Sequence, residues 1–368
     1  MTYLISIKTA IIVFPFLALI FTFPFILHEY HKYGSINPYR VLIIYSFILY
    51  MITLYFLVIL PLPNKNEVVA KPNMVRLIPF NFVTDFKNQT SLVINNPSTY
   101  LKALREPCFY TVFFNLLMTI PFGVYLRYYF RCSFKKTIIL SFFLSLFFEL
   151  TQITGLYFVY PYPYRVFDVD DLIINTLGGA IGFWIVGAFM KFLPTREEID
   201  AEALRNSEVV SGLRRIVMFI LDCFIFLFIY TFASIFIRGK YLLLSLFIVY
   251  YIVFPYLMNG TTLGSKFLNI RLEFKKYKLL NITIRIIFLF VYYFGIPYLI
   301  LYTNYLLELI FNLTLKTDFF VYILIILVIL LFYIVNMIIL LKNKKIFYDK
   351  WFQVSYVNTI KIREEEKN

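Results

Sequence analysis

Apolar residues in this chain come in long unbroken runs, not in alternation with polar ones. "YILIILVILLFYIVNMIILL", residues 322–341, holds one amide and no charge. A helix needs roughly 20 such residues to cross the hydrocarbon core of a bilayer. Membrane barrel strands instead alternate in pieces of about 10 residues. Runs of helical length fall near 9–27, 41–60, 107–126, 137–158, 171–193, 216–236, 241–258, 281–302 and 319–341. The pattern therefore predicts an all-α fold: a polytopic integral membrane helical bundle of about nine transmembrane helices. The first run is longer than the apolar part of a signal peptide and lacks a small-residue cleavage site, so it reads as a retained helix.

One break is longer and more polar than the rest. "PTREEIDAEALRNSEVVSGLRR", residues 194–215, mixes acids and bases and contains no spanning run. It divides the chain into a five-helix module, residues 1–193, and a four-helix module, residues 215–360. Residues 194–214 form a polar linker or interfacial helix, and 361–368 a charged tail. No internal repeat relates the two modules.

Composition supports the membrane reading. The 368 residues are 61% hydrophobic and 15% charged, against about 25% charged in soluble proteins. The net charge of +14 does not point to nucleic acid, because the bases sit in short connections where they set orientation and meet anionic lipid. Arg127, Arg131, Lys135 and Lys136 place the connection after the third helix in the cytoplasm. Alternation then puts the N-terminus outside and the C-terminus in the cytoplasm, in agreement with Lys266, Arg271, Lys275, Lys276, Lys278, Lys342, Lys344 and Lys345. The basic loop 61–106 falls outside, where its length lowers the weight of its charges. Membrane lipid is the expected partner. Three isolated cysteines offer neither a disulfide framework nor a zinc site, and no cofactor is indicated. His28 and His31 in "HEYH" lack a third ligand and read as interfacial. Oligomeric state is not encoded in any visible pattern.

Candidate chemistry concentrates where the fourth and fifth runs meet. Glu149 lies inside "SLFFELTQITG", where a carboxylate costs roughly 2.5–3.5 kcal/mol and turns inward to a partner. Gln152, one turn on, shares its face. This pair reads either as a helix–helix hydrogen bond or as part of a site. In "YRVFDVDDLIINTLGGAIG", residues 164–182, Asp168, Asp170 and Asp171 precede the fifth helix. Helix capping accounts for one or two of these acids, but not for Arg165. Asp171 and Asn175 share a face with Gly178 and Gly182, whose GxxxG spacing lets another helix approach closely. The expected neighbour is the fourth helix, which would bring Asp171 and Asn175 to Glu149 and Gln152. In the second module Arg215 and Asp222 lie in one apolar run, and an ion pair between them is the plain structural alternative to a site.

The stretch "FFELTQITGLYFVYPYPYRVFDVDDLIINTLGGAIG" resembles the signature of the VanZ-like family. The match falls on Glu149, Gln152, Arg165, Asp168, Asp171, Asn175 and Gly178. "FFNLLMTIPFG" resembles that family's earlier helix through Asn115, Pro121 and Gly123. "RLIPF", 76–80, resembles its extracytoplasmic loop, with Arg76 where Asn is expected. In the second module "LRRIVMFILDCFIF", "NGTTLGSKFLNIRL" and "FYDKWFQVSYVNT" resemble the RDD family of membrane domains. Arg215, Asp222, Lys266 and Asp349 are the matching residues.

The VanZ resemblance implies a bacterial plasma-membrane protein, some relatives of which lower susceptibility to lipoglycopeptide antibiotics such as teicoplanin. Its ligand would be a lipoglycopeptide or a cell-wall precursor, held in an outward-facing acidic pocket with an Arg. Arg165 would grip phosphate or carboxylate, and the aspartates an amine or cation. Two alternatives stay open. One is an enzyme acting on a lipid-linked envelope substrate, with Glu149 and Asp171 as acid and base and a divalent cation at Asp168, Asp170 and Asp171. The other is a transporter of a small solute or ion.

Overall fold

The computed structural model describes residues 2–274, 278–302, 319–342 and 347–360. Lys275, Lys276, Lys344, Lys345 and the charged tail 361–368 lie outside the described residues. Contacts divide the chain into two compact units, residues 1–22 with 38–199 and residues 23–37 with 200–368. The division falls inside the first helix, α1 (Thr2–Lys32).

The first unit continues with α2 (Pro38–Ile59). A loop follows, containing β1 (Val75–Arg76) and the short α3 (Asn81–Gln89). Next come α4 (Pro107–Tyr128), α5 (Phe134–Ile153), β2 (Phe167–Asp168) and α6 (Val169–Phe189). Serine and aspartate fix the starts: Ser133 accepts the Lys136 N–H at the head of α5, and Asp168 the Asp170 N–H at the head of α6. Each satisfies one of the donors that a helix leaves open at its first turn. The polar linker forms α7 (Arg196–Asn206).

The second unit holds α8 (Gly212–Phe236), an apolar helix α9 (Leu242–Leu257), the short α10 (Leu263–Phe267) and β3 (Ile270–Phe274). It continues with α11 (Lys278–Leu301), α12 (Phe319–Leu341), the short α13 (Phe347–Trp351) and β4 (Val354–Asn358). Among the described residues eight helices are long and apolar enough to span a membrane. The seventh expected span is the exception. α9 covers about 24 Å at 1.5 Å per residue, short of a core of about 30 Å. This is an all-helical multi-pass membrane bundle with two small strand pairings that hydrophobic runs did not foretell. β1 pairs parallel with β2, and β3 antiparallel with β4.

Between α4 and α6 the backbones touch. Any side chain at Gly178 or Gly182 would strike the carbonyl oxygens of Leu116 and Ile120, and one at Gly123 would strike that of Gly179. The glycine face of α6 therefore packs on α4, not on α5 as expected. Gly179, the next position round the helix, is the one that meets Ser141 of α5. α5 presents Thr137, Ser141, Ser145 and Glu149 to the interior, spaced one turn apart, and all four are buried. With hydrocarbon on both sides of the comparison, such helices are held by close packing and hydrogen bonds.

In the second unit one backbone detour occurs twice. Val249–Val253 in α9 and Val291–Gly295 in α11 wind as π-helix, and each is followed by a proline, Pro255 and Pro297. The local sequences are "VYYIVFPYL" and "VYYFGIPYL". Tyr250 donates to Asp222 Oδ1 (2.7 Å), and the equivalent Tyr292 to Asn336 Oδ1 (3.0 Å).

Candidate functional site

The end of α5 and the start of α6 meet at one end of the first unit, with the entry of α4 beside them. That meeting gathers the acids. Glu149 is 3% exposed, and its Oε2 accepts the Asp168 N–H at 3.0 Å. Asp171 Oδ1 accepts from Asn115 Nδ2 at 2.6 Å. Ser145 Oγ donates to the Asp171 carbonyl (3.2 Å) and accepts from Asn175 Nδ2 (2.9 Å). Buried Asn175 Oδ1 has no hydrogen bond among the described residues. Asp168 caps α6 with Oδ1 and turns Oδ2 towards Arg76 Nη1 at 3.8 Å, while Arg76 also reaches Asp85 at 3.6 Å. Burial pushes the Asp168 carboxyl above the usual range, and the Asp170 N–H and Arg76 pull the other way. Each acid thus spends one oxygen on a fixed donor.

Gln152 and Arg165 do not join the acids through hydrogen bonds. Gln152 Nε2 donates to the Val58 carbonyl at 3.1 Å. Arg165 donates to Val58 (2.7 Å) and to Leu60 (3.4 Å). Both therefore hold the end of α2, where free carbonyls and the negative pole of the helix suit a cation. Arg165 thus commits two of its five N–H donors to backbone carbonyls.

Asp170 faces a different partner again. Its oxygens accept the N–H groups of Phe80 (2.5 Å) and Phe82 (2.8 Å), pinning the start of α3 over the head of α6. The three aspartates diverge, and no group of three metal-ligating side chains occurs among the described residues. The suggested divalent-cation cage is thereby removed. An open cavity of about 360 Å³ lies in the pinned loop, lined by Val75, Arg76, Leu77, Ile78, Asn81 and Asp85. Leu77 and Ile78 are 66% and 69% exposed, so charged groups sit beside a greasy rim.

In the second unit the Arg215–Asp222 ion pair weighed as an alternative to a site does not form among the described residues. Asp222 accepts from Tyr250 (2.7 Å), Thr262 Oγ1 (2.7 Å) and the Gly264 N–H (2.9 Å), which fixes the turn into α10. Arg215 pairs with Asp349 at 3.5 Å, and Arg285 reaches the same carboxylate at 3.4 Å. Tyr356 bridges them, receiving from Arg285 at 2.6 Å. Lys266 is exposed. His31 contacts the Phe267 carbonyl at 2.6 Å and stacks on its ring, a packing role.

Sequence reading missed Ser145 and Arg76 as neighbours of the acids, Asp170 as a loop anchor, and both Arg285 and Arg214. Arg214 is fully buried and donates to the carbonyls of Leu268 (2.6 Å) and Asn269 (3.0 Å). For Arg285, inside the run 281–302, the available signal was an arginine in a spanning segment, which is rare enough to mark an inward partner.

Neither a curated protein nor a solved structure matches the chain. Residues 47–192 match the model of the VanZ/LLP1 family, and the first unit accordingly carries a VanZ-like module.

Proposed function

We propose that the VanZ-like module binds the cationic head of an amphiphile at the outer membrane interface and so lowers susceptibility to lipoglycopeptides such as teicoplanin. One observation carries this reading: three carboxylates, Glu149, Asp168 and Asp171, meet at one helix junction with one oxygen each committed to a donor. Asp168 turns its second oxygen to Arg76, and the second oxygens of Glu149 and Asp171 are the ones offered to an amine. The neighbouring cavity, with Arg76 and Asp85 in its wall and apolar Leu77 and Ile78 at its edge, suits a molecule with a charged head and a lipid tail. A lipoglycopeptide, which carries an amine and a lipid tail, has that form. The outward placement rests on the basic connection after α4, which favours the cytoplasm. The Arg215–Asp349 pair and Asp222 likewise support reading the second unit as an RDD-like domain.

The test is teicoplanin susceptibility in a host lacking the protein. Wild type is compared with Glu149→Gln and Asp171→Asn at matched membrane abundance. Protection by wild type and its loss in both variants is the expected result. Equal protection by all three would make the acids structural, and no protection by any would remove the resistance reading.

A further inference from the structure

The opposite end of the first unit carries a second polar feature that the acidic site does not use. About 12 residues along α4 from Asn115, or roughly 18 Å, Arg127 opens onto a cavity of about 440 Å³ shared with Tyr128, Arg131, Leu193, Arg196 and Glu197. Three guanidinium groups and the Glu197 carboxylate line it, and Glu198 at its edge accepts the Thr195 N–H at 2.8 Å. Arg131 pairs with Glu197. Arg196 shares the field of Glu197 at longer range, and Arg127 is held by a carbonyl and a ring. Arg127 donates to the Phe183 carbonyl at 2.7 Å and lies 4.2 Å over the Phe183 ring. Gly187 leaves the space it occupies, since any side chain there would strike the guanidinium. Arg196 donates to the Tyr129 carbonyl at 3.3 Å and lies over that ring. A guanidinium fixed by carbonyl and ring keeps donors free for a bidentate partner.

We propose that this cavity seats the phosphate of an anionic phospholipid. A lipid is favoured over a free anion because of the rim: Phe192, Phe189 and Leu193 are exposed, and they stand where α6 leaves the membrane. Exposed Lys135, Lys136 and Lys191 extend the same positive face. Basic pockets at the ends of spanning helices are suited to such headgroups.

The test uses the purified full chain in uncharged detergent, with dioleoyl phosphatidylglycerol, dioleoyl phosphatidylcholine and inorganic phosphate as probes. Retained lipid is counted by native mass spectrometry, and melting is followed in parallel. Phosphatidylglycerol should be retained in preference to phosphatidylcholine and should raise the melting temperature. Arg127→Gln/Arg131→Gln should weaken retention at least tenfold, while Lys135→Gln/Lys136→Gln, outside the cavity wall, should not. Equal weakening by the lysine pair would reduce the effect to diffuse attraction and overturn the site. Equal stabilisation by inorganic phosphate would overturn the lipid. If the double arginine variant does not yield folded protein, Arg196→Gln alone is read by the same criteria.

Discussion

Asp170 can be separated experimentally from the acids around it. It is 4% exposed, and its carboxylate receives two backbone N–H groups at 2.5 and 2.8 Å from the loop that carries β1 and α3. Hydrogen bonds to a charged group contribute about 1.5–3 kcal/mol each. When the loop opens, water takes over both N–H groups, so the lower end applies and the pair holds the loop by roughly 3 kcal/mol. At 1.4 kcal/mol per tenfold, Asp170→Ala should raise the open population about 100-fold. The change should be local, because opening the loop leaves the backbone contact between α4 and α6 intact. Hydrogen exchange read by mass spectrometry in peptides covering 75–89 measures it, with peptides from α4 and α6 as reference. Asp170→Asn keeps one acceptor without the charge and should fall between. If exchange in 75–89 stays at the wild-type rate, or rises equally throughout the helices, Asp170 is not the anchor of this loop.

Other perturbations separate packing from charge. Gly182→Leu puts a side chain against the Ile120 carbonyl and should cost about 1–3 kcal/mol or more, read as a lower melting temperature in detergent; an unchanged value would contradict the close approach. Asp349→Asn leaves Arg215 and Arg285 buried without their shared carboxylate, a loss of roughly 3–5 kcal/mol. Replacing all three by leucine should restore part of the yield of folded protein, and failure to do so would mean the cluster does more than neutralise itself. Asp168 gives a pH signature. Its folded pKa lies above the ordinary 3.8, so the native state keeps the proton to higher pH than the unfolded chain. The stability it contributes is present in acid and lost as pH rises through the raised value. Melting temperature between about pH 3.5 and 7 should therefore fall more steeply for wild type than for Asp168→Asn; parallel curves would refute the assignment.

What could be read from sequence followed the physics of each signal. Runs of apolar residues gave the spanning helices because hydrocarbon thickness sets their length. Glu149, Asp171 and Asn175 were legible because buried polar groups in such runs need partners. The GxxxG face announced a close approach, but spacing on one helix does not say which neighbour comes close, and α4 took the place expected of α5. Arg165 and Gln152 looked like ligand groups, since nothing in a linear pattern shows that the end of α2 lies within their reach. Arg215 and Asp349 are 134 positions apart, so nearness along the chain favoured Asp222 instead. The loop 61–106 was read for its charge and for "RLIPF", which marks residues 76–80 without showing what they meet. Its return to Asp168 and Asp170 depends on two strand residues and two backbone N–H groups, which leave little trace in composition.

The twin π-turns of α9 and α11 bear on how that half of the molecule is numbered against itself. A π-turn inserts one residue into the winding, so every later side chain is rotated by about 100° from where a regular helix would put it. Pro255 and Tyr256, and their counterparts Pro297 and Tyr298, therefore face directions that a helical wheel assigns wrongly. Two helices that share the same extra residue, the same proline after it and the same anchored tyrosine are offset by a constant 42 positions. Rewinding either turn as regular α-helix with all its residues kept would swing that helix's far half by the same 100°, whereas deleting one residue from the turn would straighten the helix and leave the far half facing as before.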